Sequence, residues 1–333
     1  MNKKYTFLAT LFFLLASYCL GQTTVNLKKS KYELASNAYG YLVGQENSLK
    51  FIEDKYPQFS LDILKVKLLF QSTFGKSKKE IEKYLVEFIG QEKFDEFNSE
   101  LMVKMNKLLT TKVFNEETIP NDISEVEERA KGQIPSPILE TLLSFQFSDR
   151  PEEELIKGFY TVFKTKGHPK SKNTDWQFKV PKSFKAEEAD RPNIIQKFRS
   201  NYGSGNASIM IIVKDLDIPK NTIFTKKDID NYFTEINAKD WVPEGGKFIS
   251  FKKMMFDNQI GAMIEIETIS ENLDYKFKNR MAMFTFIYNN KMYTLQGFVN
   301  EGSIDKDLTG SMLKFMPLFR LVANSIVVND QYK

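Results

Sequence analysis

The spacing of apolar residues divides the chain into two parts. From residue 31 to about residue 164, apolar side chains recur every three or four positions, which is the period of an amphipathic helix. One such stripe consists of Leu61, Leu64, Leu68 and Leu69. After Trp176 the period falls to two, which is the alternation of half-buried β-strands. The pattern therefore predicts a helical part followed by a sheet.

Helix start and stop signals fit the first part. Ser136 followed by Pro137 fits an N-cap with proline at the first helical position, and Gly75 stands where a helix would end. Two pairs fit the capping box, in which a hydroxyl and a carboxylate satisfy the first free amides of a helix. These pairs are Ser77 with Glu80, and Ser124 with Glu127. We predict six to eight helices in this part.

The second part is typical of an antiparallel sheet. Strands are predicted at 176–180, 194–198, 208–213, 248–256, 260–269, 281–288 and 293–299. Asp257-Asn258 and Asn289-Asn290 predict tight hairpins, because these residue types tolerate a positive φ. Helices are predicted near 226–237, capped by Thr225, and near 308–325. The predicted fold class is α+β: an N-terminal all-helical domain, then an antiparallel β-sheet domain with flanking helices, as an α/β/α sandwich.

Residues 1–21 have the pattern of a signal peptide. Lys3 and Lys4 form a basic head, residues 7–15 are almost continuously apolar, and Gly21 is a small residue at the predicted cleavage site. The apolar run is shorter than the roughly 20 residues of a membrane-spanning helix. We therefore predict an exported protein, periplasmic or extracellular, that is not integral to the membrane. The alternative is lipid anchoring at Cys19, which the bulky Tyr18 before it disfavours.

Composition narrows the chemistry further. Cys19 is the only cysteine, so cleavage after Gly21 would exclude thiol nucleophiles and cysteine-ligated metals. The same cleavage would lower the formal charge of +4 by the charges of Lys3 and Lys4, and a nearly neutral chain argues against a nucleic-acid partner. His168 is the only histidine, which excludes histidine-rich zinc sites. No metal and no cofactor is predicted.

A basic segment stands between the two predicted domains. The predicted organisation is a helical domain at 22–163, a basic linker at 164–175 and a sheet domain at 176–330. Gly167 and Pro169 favour a hinge in this linker, and contact with an anionic lipid or glycan is the alternative. A base at His168 is disfavoured, because the segment offers no third group to orient the ring. The candidate binding residues are Lys164, Lys166, His168, Lys170, Lys172 and Trp176.

Glu265 and Glu267 are the candidate catalytic residues. They lie two positions apart on a predicted strand, so their side chains would share one face at about 7 Å. Glycosidase carboxylates work at separations of about 5 to 9.5 Å, so this spacing is permitted. The other interpretation is that Ile264 and Ile266 face the core while the glutamates face water.

The element order of the second part resembles a known family. The segments WQFKVPKSFKAEE, NIIQKFRS and ASIMIIVKDL are followed by a helix carrying FTKKDIDNYF, two hairpins, and a closing helix before NSIVVND. Over roughly residues 175–330 this series resembles the Mog1/PsbP-like family. The resemblance implies binding to a larger partner, since members include a Ran-binding protein, extrinsic subunits of photosystem II and exported bacterial proteins. The whole layout is similar to uncharacterised secreted proteins of Bacteroidota.

Three classes of function remain open at this point. We expect an exported, non-catalytic binding or assembly protein of the cell envelope, whose sheet domain docks on a protein partner or another envelope component. The first alternative is a carboxylate-dependent hydrolase of an envelope or extracellular polymer that uses Glu265 and Glu267. The second is a carrier of a small ligand or lipid in a groove between the domains.

Overall fold

The computed structural model describes residues 30–111, 115–189, 191–216, 224–272, 275–301 and 304–333. The chain forms two compact units, Met1–Gln146 and Phe147–Lys333. The predicted signal peptide lies outside the described residues. Across the described ranges, no helix combines the length and the apolar character needed to cross a bilayer.

The first unit is helical, as predicted. Its helices are α1 (Lys31–Lys55), α2 (Ser60–Ile89), α3 (Gln91–Thr111), α4 (Ile119–Ala130) and α5 (Ile138–Gln146). The α1 helix begins at a side-chain cap, because Ser30 Oγ accepts a hydrogen bond from Glu33 N at 3.2 Å. Apolar side chains from these helices form the core, among them Leu42 of α1, Ile63 of α2 and Leu142 of α5.

Both predicted capping boxes lie inside helices. Ser77 is fully buried within α2, where its Oγ donates a hydrogen bond to Leu142 O at 3.0 Å. Ser124 lies in the middle of α4, which begins at Ile119 with a proline in its first turn. A capping box is a local pattern and does not by itself start a helix. The α2 helix continues past Ser77 because its buried side chains continue on the same side of the helix as far as Leu85.

The second unit combines strands and helices. Its elements are α6 (Glu152–Ile156), β1 (Tyr160–Lys164), β2 (Trp176–Pro181), β3 (Lys185–Glu187), β4 (Ile194–Arg199), β5 (Ala207–Asp215), α7 (Lys226–Tyr232), α8 (Glu235–Lys239), β6 (Lys247–Phe256), β7 (Gln259–Asn272), β8 (Tyr275–Tyr288), β9 (Lys291–Asn300), α9 (Thr309–Asn324) and β10 (Val327–Val328). Short 3₁₀ turns are formed by Pro57–Phe59 and Glu116–Thr118 in the first unit, and by Asn201–Gly203 and Asn329–Tyr332 in the second.

Two antiparallel sheets organise these strands. The larger sheet has the order β3-β4-β5-β9-β8-β7-β6, and the smaller has the order β1-β2-β10. Both predicted tight hairpins are present in the larger sheet. Asp257 and Asn258 have φ values of 44° and 68°, and Asn289 and Asn290 have values of 47° and 55°.

Helices pack on both faces of the larger sheet. Phe284 of β8 belongs to one apolar cluster with Phe319 of α9, and the smaller sheet contributes to the same cluster through Trp176. Ile264 of β7 belongs to a second cluster with Phe233, which follows α7, and Ala238 of α8. The α+β class with a three-layer α/β/α arrangement is therefore confirmed.

The segment between β1 and β2 differs from the predicted linker. The boundary between the two units along the chain falls after Gln146, ahead of the predicted linker at 164–175. Residues 160–164 form β1, which pairs with β2 from Tyr160↔Pro181 to Lys164↔Gln177. The segment 164–175 therefore connects two paired strands of one unit. The physical reason is that a five-residue strand has too few positions for its period to stand out against the helical pattern before it.

Candidate functional site

The loop between β1 and β2 carries the predicted basic residues and is held by its own hydrogen bonds. Thr165 Oγ1 donates to Thr174 O at 2.9 Å and accepts from Trp176 N at 3.1 Å. His168 N donates to Thr165 O at 3.0 Å. Gly167 has a φ of 79°, which favours glycine at this turn. These bonds fix a folded loop where the sequence predicted a hinge.

Three lysines of this loop have oxygen partners. Lys172 Nζ lies 2.6 Å from Asp215 Oδ2, and Lys166 Nζ lies 4.0 Å from Asp175 Oδ2. Lys170 Nζ donates to Ala189 O. Asp215 and Asp175 offset part of the positive charge of Lys172 and Lys166, whereas Ala189 O is a neutral acceptor. Lys166, His168 and Lys172 line one pocket of about 530 Å³, and the anion contact stays a prediction. Lys164 is exposed on β1.

His168 is part of the same loop. Its Nδ1 accepts a hydrogen bond from Lys170 N at 3.2 Å, so in the neutral ring the proton is on Nε2. Its ring centroid lies 6.4 Å from that of Phe163 on β1. Both contacts orient the ring within the loop, which is a structural role.

The position of Trp176 corrects its interpretation as a surface contact. The side chain is 0 % exposed and packs edge-on against the rings of Phe286 and Tyr293, with centroids 6.1 and 5.5 Å apart. A large apolar ring at the first position of β2 is more stable under the larger sheet than in water. Trp176 is thus a core residue that a ligand at the surface does not reach.

The two candidate catalytic glutamates lie in ion pairs. Glu265 is only 8 % exposed, and its Oε1 accepts a hydrogen bond from Arg280 Nε at 2.7 Å. Arg280 Nη1 also donates to Thr309 Oγ1 at 2.8 Å, at the start of α9. Glu267 Oε1 lies 3.8 Å from Lys278 Nζ. The expectation that these glutamates face water is wrong for Glu265, because its carboxylate is buried against the guanidinium of the neighbouring strand.

One face of α2 exposes four leucine side chains. The exposed fractions of its side chains are 64 % for Leu61, 49 % for Leu64, 58 % for Leu68 and 39 % for Leu69. We call these four residues the leucine face. At 100° per residue, Leu61, Leu64 and Leu68 point away from the buried stripe. That stripe consists of Ile63, Val66, Phe70, Phe74, Ile81 and Leu85.

Sequence reasoning used the leucine face only as evidence for a helix. The leucines have helical spacing, which correctly predicts α2, and such a stripe is normally the side that faces the core. A signal was nevertheless present, because Ile63, Val66 and Phe70 form a second apolar stripe on the same helix. Two apolar stripes on opposite sides of one helix indicate that a second surface needs a partner.

A groove adjoins the leucine face on the side of α4. It has a volume of about 330 Å³, and Val66 and Ile123 form its apolar floor. Leu69 belongs both to the groove and to the leucine face. The remaining lining residues are Phe59, Asp62, Lys65, Pro120, Ser124 and Glu127. We call this the α2–α4 groove.

The α4 side of the groove is acidic. Residues 115–128 contain six acidic side chains and no basic one. The first bases after this stretch are Arg129, which lies 2.9 Å from Glu125, and Lys131, which lies 2.9 Å from Glu127. Within the groove, Lys65 Nζ lies 2.8 Å from Asp62 Oδ1. Residues 115–131 thus contain six acidic and two basic side chains, and Glu127 is the acid of this stretch that lines the groove.

Comparison with known proteins gives matches to solved structures but none to family models or curated proteins. Solved structures are similar to about half of this chain. The cyanobacterial PsbP protein CyanoP from Synechocystis sp. PCC 6803 is 14 % identical over 51 % of this chain and 94 % of its own, with a TM-score of 0.30.

Two further solved structures have comparable scores. LpqN of Mycobacterium tuberculosis, described as involved in cell envelope biogenesis, is 9 % identical over 52 % of this chain and 92 % of its own, with a TM-score of 0.31. A protein from Bacteroides thetaiotaomicron VPI-5482 is 10 % identical over 53 % of this chain and 50 % of its own, with a TM-score of 0.30. At these TM-scores, the fold class rests on the strand order and layers of this chain. An origin in Bacteroidota stays a prediction.

Proposed function

We propose that this chain is an exported, non-catalytic binding or assembly protein of the cell envelope that docks on a protein partner. The leucine face is the observation that carries the proposal. Export rests on the predicted signal peptide at 1–21.

Exposed leucines of this kind have a free energy cost that a partner would remove. Burying one leucine side chain contributes about 1.5 to 3 kcal/mol. Leu61, Leu64 and Leu68 lie on consecutive turns of one helix, so one partner surface could cover all of them. Clustered apolar side chains mark interaction sites, whereas single exposed ones are ordinary.

The charge beside this face favours a protein over a membrane as the partner. Anionic lipid surfaces attract helices whose polar side is rich in lysine and arginine. Here the neighbouring wall is the acidic stretch 115–128. An anionic bilayer would be repelled by that wall, while a protein can present cations at matching positions.

The contacts of the two candidate catalytic glutamates do not favour the carboxylate-dependent hydrolase. Glu265 is bound by Arg280, and Glu267 lies near Lys278. Both arrangements are typical of ion pairs that stabilise a sheet.

Site-specific photo-crosslinking in envelope fractions tests the proposal. A photoreactive side chain at Leu64 or Leu68 should give one adduct of defined mass. The same group at the exposed Ile236 of the second unit is the matched control and should not give it. The adduct formed from position 68 should also disappear when Leu61→Asp and Leu64→Asp are introduced together. Adducts that form equally from Ile236, or that survive both substitutions, would remove the leucine face as the docking site.

A further inference from the structure

We infer that the docking element of the partner is a basic amphipathic helix, which lies along the leucine face with its cations beside α4. This inference deepens the proposed function and rests on it. The α2–α4 groove would receive apolar side chains from one side of that helix.

The shape of the surface fits a helix. Leu61, Leu64 and Leu68 repeat at the three- and four-residue spacing that lets a second helix place its own side chains between them. The stretch from Leu61 to Leu68 covers about 10 Å along α2, at about 1.5 Å per residue. The adjoining groove has apolar walls at Leu69 and Pro120. Helices that dock in grooves use apolar anchors at i, i+3, i+4 and i+7, which is the matching pattern.

The charge of the surface indicates which charge the partner helix should carry. Asp62 and Glu127 line the groove, and Lys65 is the only basic residue that lines it in the described part of the chain. Asp62 is paired with Lys65 and Glu127 with Lys131, so the excess of negative charge comes from the other acids of 115–128, along α4 and the turn before it. Opposite charges at the rim of an interface speed association and select between partners. Lysine and arginine side chains beside the apolar stripe of the partner would form ion pairs with these carboxylates.

A second copy of this chain is a poorer fit. It would bring a second acidic stretch 115–128 to the same interface, and like charges at a contact oppose association. The two copies could cover the leucines, but the charge of α4 would then be unmatched.

Designed peptides test the inference directly. The probes are two synthetic helices with the same leucine stripe, one flanked by lysine and one by glutamate, and fluorescence anisotropy measures their binding to the full chain. We expect the lysine peptide to bind at least about tenfold more tightly at low ionic strength, and added salt to reduce the difference. A scrambled lysine peptide of the same composition, which has no continuous apolar stripe, should bind more weakly than the ordered one.

Variants of the groove give the matched control. Asp62→Asn with Glu127→Gln removes both groove carboxylates and should weaken binding of the lysine peptide by about threefold to tenfold. Glu100→Gln is the control on α3, because Glu100 forms an exposed i,i+4 ion pair with Lys104 just as Glu127 does with Lys131. This control should leave the affinity unchanged.

Each other result would overturn the inference. Equal binding of the two peptides, binding of neither, or stronger binding of the glutamate peptide would contradict the assigned charge. Binding to phosphatidylglycerol vesicles that depends on Leu64 would show that the leucine face binds a membrane surface and not a helix. A dimer in sedimentation that Leu64→Asp disrupts would replace it with a second copy. If crosslinks still map to the leucine face in any of these cases, the proposed docking function stands and only the nature of the docking element is wrong.

Discussion

The carboxylate of Asp257 accepts a hydrogen bond from the backbone N–H of Val328 at 2.6 Å, across 71 positions of the chain. Asp257 is also the first residue of the β6–β7 turn, with a φ of 44°. Its other oxygen accepts from the hydroxyl of Tyr332 at 2.5 Å. Asp257 therefore adopts the backbone conformation that the hairpin needs, and its side chain binds strand β10 and the following 3₁₀ turn to that hairpin.

Replacing Asp257 should destabilise the second unit in two separable ways. Asp257→Ala leaves the Val328 amide without its acceptor and places alanine at a positive φ, so we expect a loss of about 2 to 4 kcal/mol. Asp257→Asn keeps the turn preference and one acceptor oxygen, and should cost less. Urea denaturation measures both. Asn289→Ala, at the same turn position of the other hairpin, measures only the free energy cost of placing alanine at a positive φ. If Asp257→Ala cost no more than Asn289→Ala, the long-range bond would have no role.

Gly297 should not tolerate a side chain. A Cβ atom there would lie 2.4 Å from Cγ of Phe319, whose ring is fully buried against β9. We expect Gly297→Ala to lower the free energy of unfolding by about 1 to 3 kcal/mol, because either the ring or the strand has to shift. Gly310→Ala in α9 is the control, since nothing lies within 4 Å of its Cβ position. That variant should be neutral or slightly stabilising, and similar losses at both sites would contradict the close contact.

The Glu265–Arg280 pair should behave as a buried ion pair. The two side chains are 11 % and 14 % exposed, so Arg280→Leu leaves an unpaired carboxylate in the core and should cost about 3 kcal/mol. Glu265→Leu combined with Arg280→Leu should recover part of that loss. Lys278→Met breaks the looser pair with Glu267, at 3.8 Å and 22 % exposure of each side chain, and should cost under about 1 kcal/mol. A double variant less stable than Arg280→Leu would contradict this account.

Asp175 should contribute stability that depends on pH. A hydrogen bond from Lys333 lowers the pKa of the Asp175 carboxyl below its ordinary value of 3.8. Since the pKa is lower in the folded state than in the unfolded state, the contribution is present at neutral pH. It is lost as the pH falls from about 4 through the lower folded pKa.

Denaturation at neutral and at acidic pH should show this dependence. Asp175→Asn should be less stable than the wild type at neutral pH, and the difference should shrink below about pH 4. Asp240→Asn, at an exposed aspartate, is the control for removal of a carboxylate and should change the free energy of unfolding at neutral pH by much less. A difference that is constant across this range would show that the charge of Asp175 is not responsible.

Local chemistry was enough to predict the longer elements. The strands predicted at 248–256 and 260–269 correspond to Lys247–Phe256 and Gln259–Asn272, and the helix predicted at 308–325 is Thr309–Asn324. The cap at Thr225 is also present, because its Oγ1 accepts from Asp228 N at 3.2 Å. In these cases the period, the turn residues and the cap all act within a few positions of one another.

The remaining elements depend on partners that are distant in sequence. Strand β1 was read as part of the helical domain, and β10 was not predicted; both pair with β2, which lies beyond the reach of a local pattern. The helix predicted at 226–237 is divided at Phe233, whose ring is buried in the second apolar cluster. The same limit applies to α2, because periodicity identified its leucine stripe but could not show which of its two apolar stripes faces the core.

Adjacent positions on α2 should separate stability from binding. Ile63 is fully buried, so Ile63→Ala should lower the free energy of unfolding by about 2 to 5 kcal/mol, as measured by urea denaturation. Leu64 lies on the exposed side, so Leu64→Ala should change it by no more than about 0.5 kcal/mol and should still weaken crosslinking to the partner. If Leu64→Ala destabilised the chain as much as Ile63→Ala, the leucines would belong to the core, and the docking surface would have to lie elsewhere.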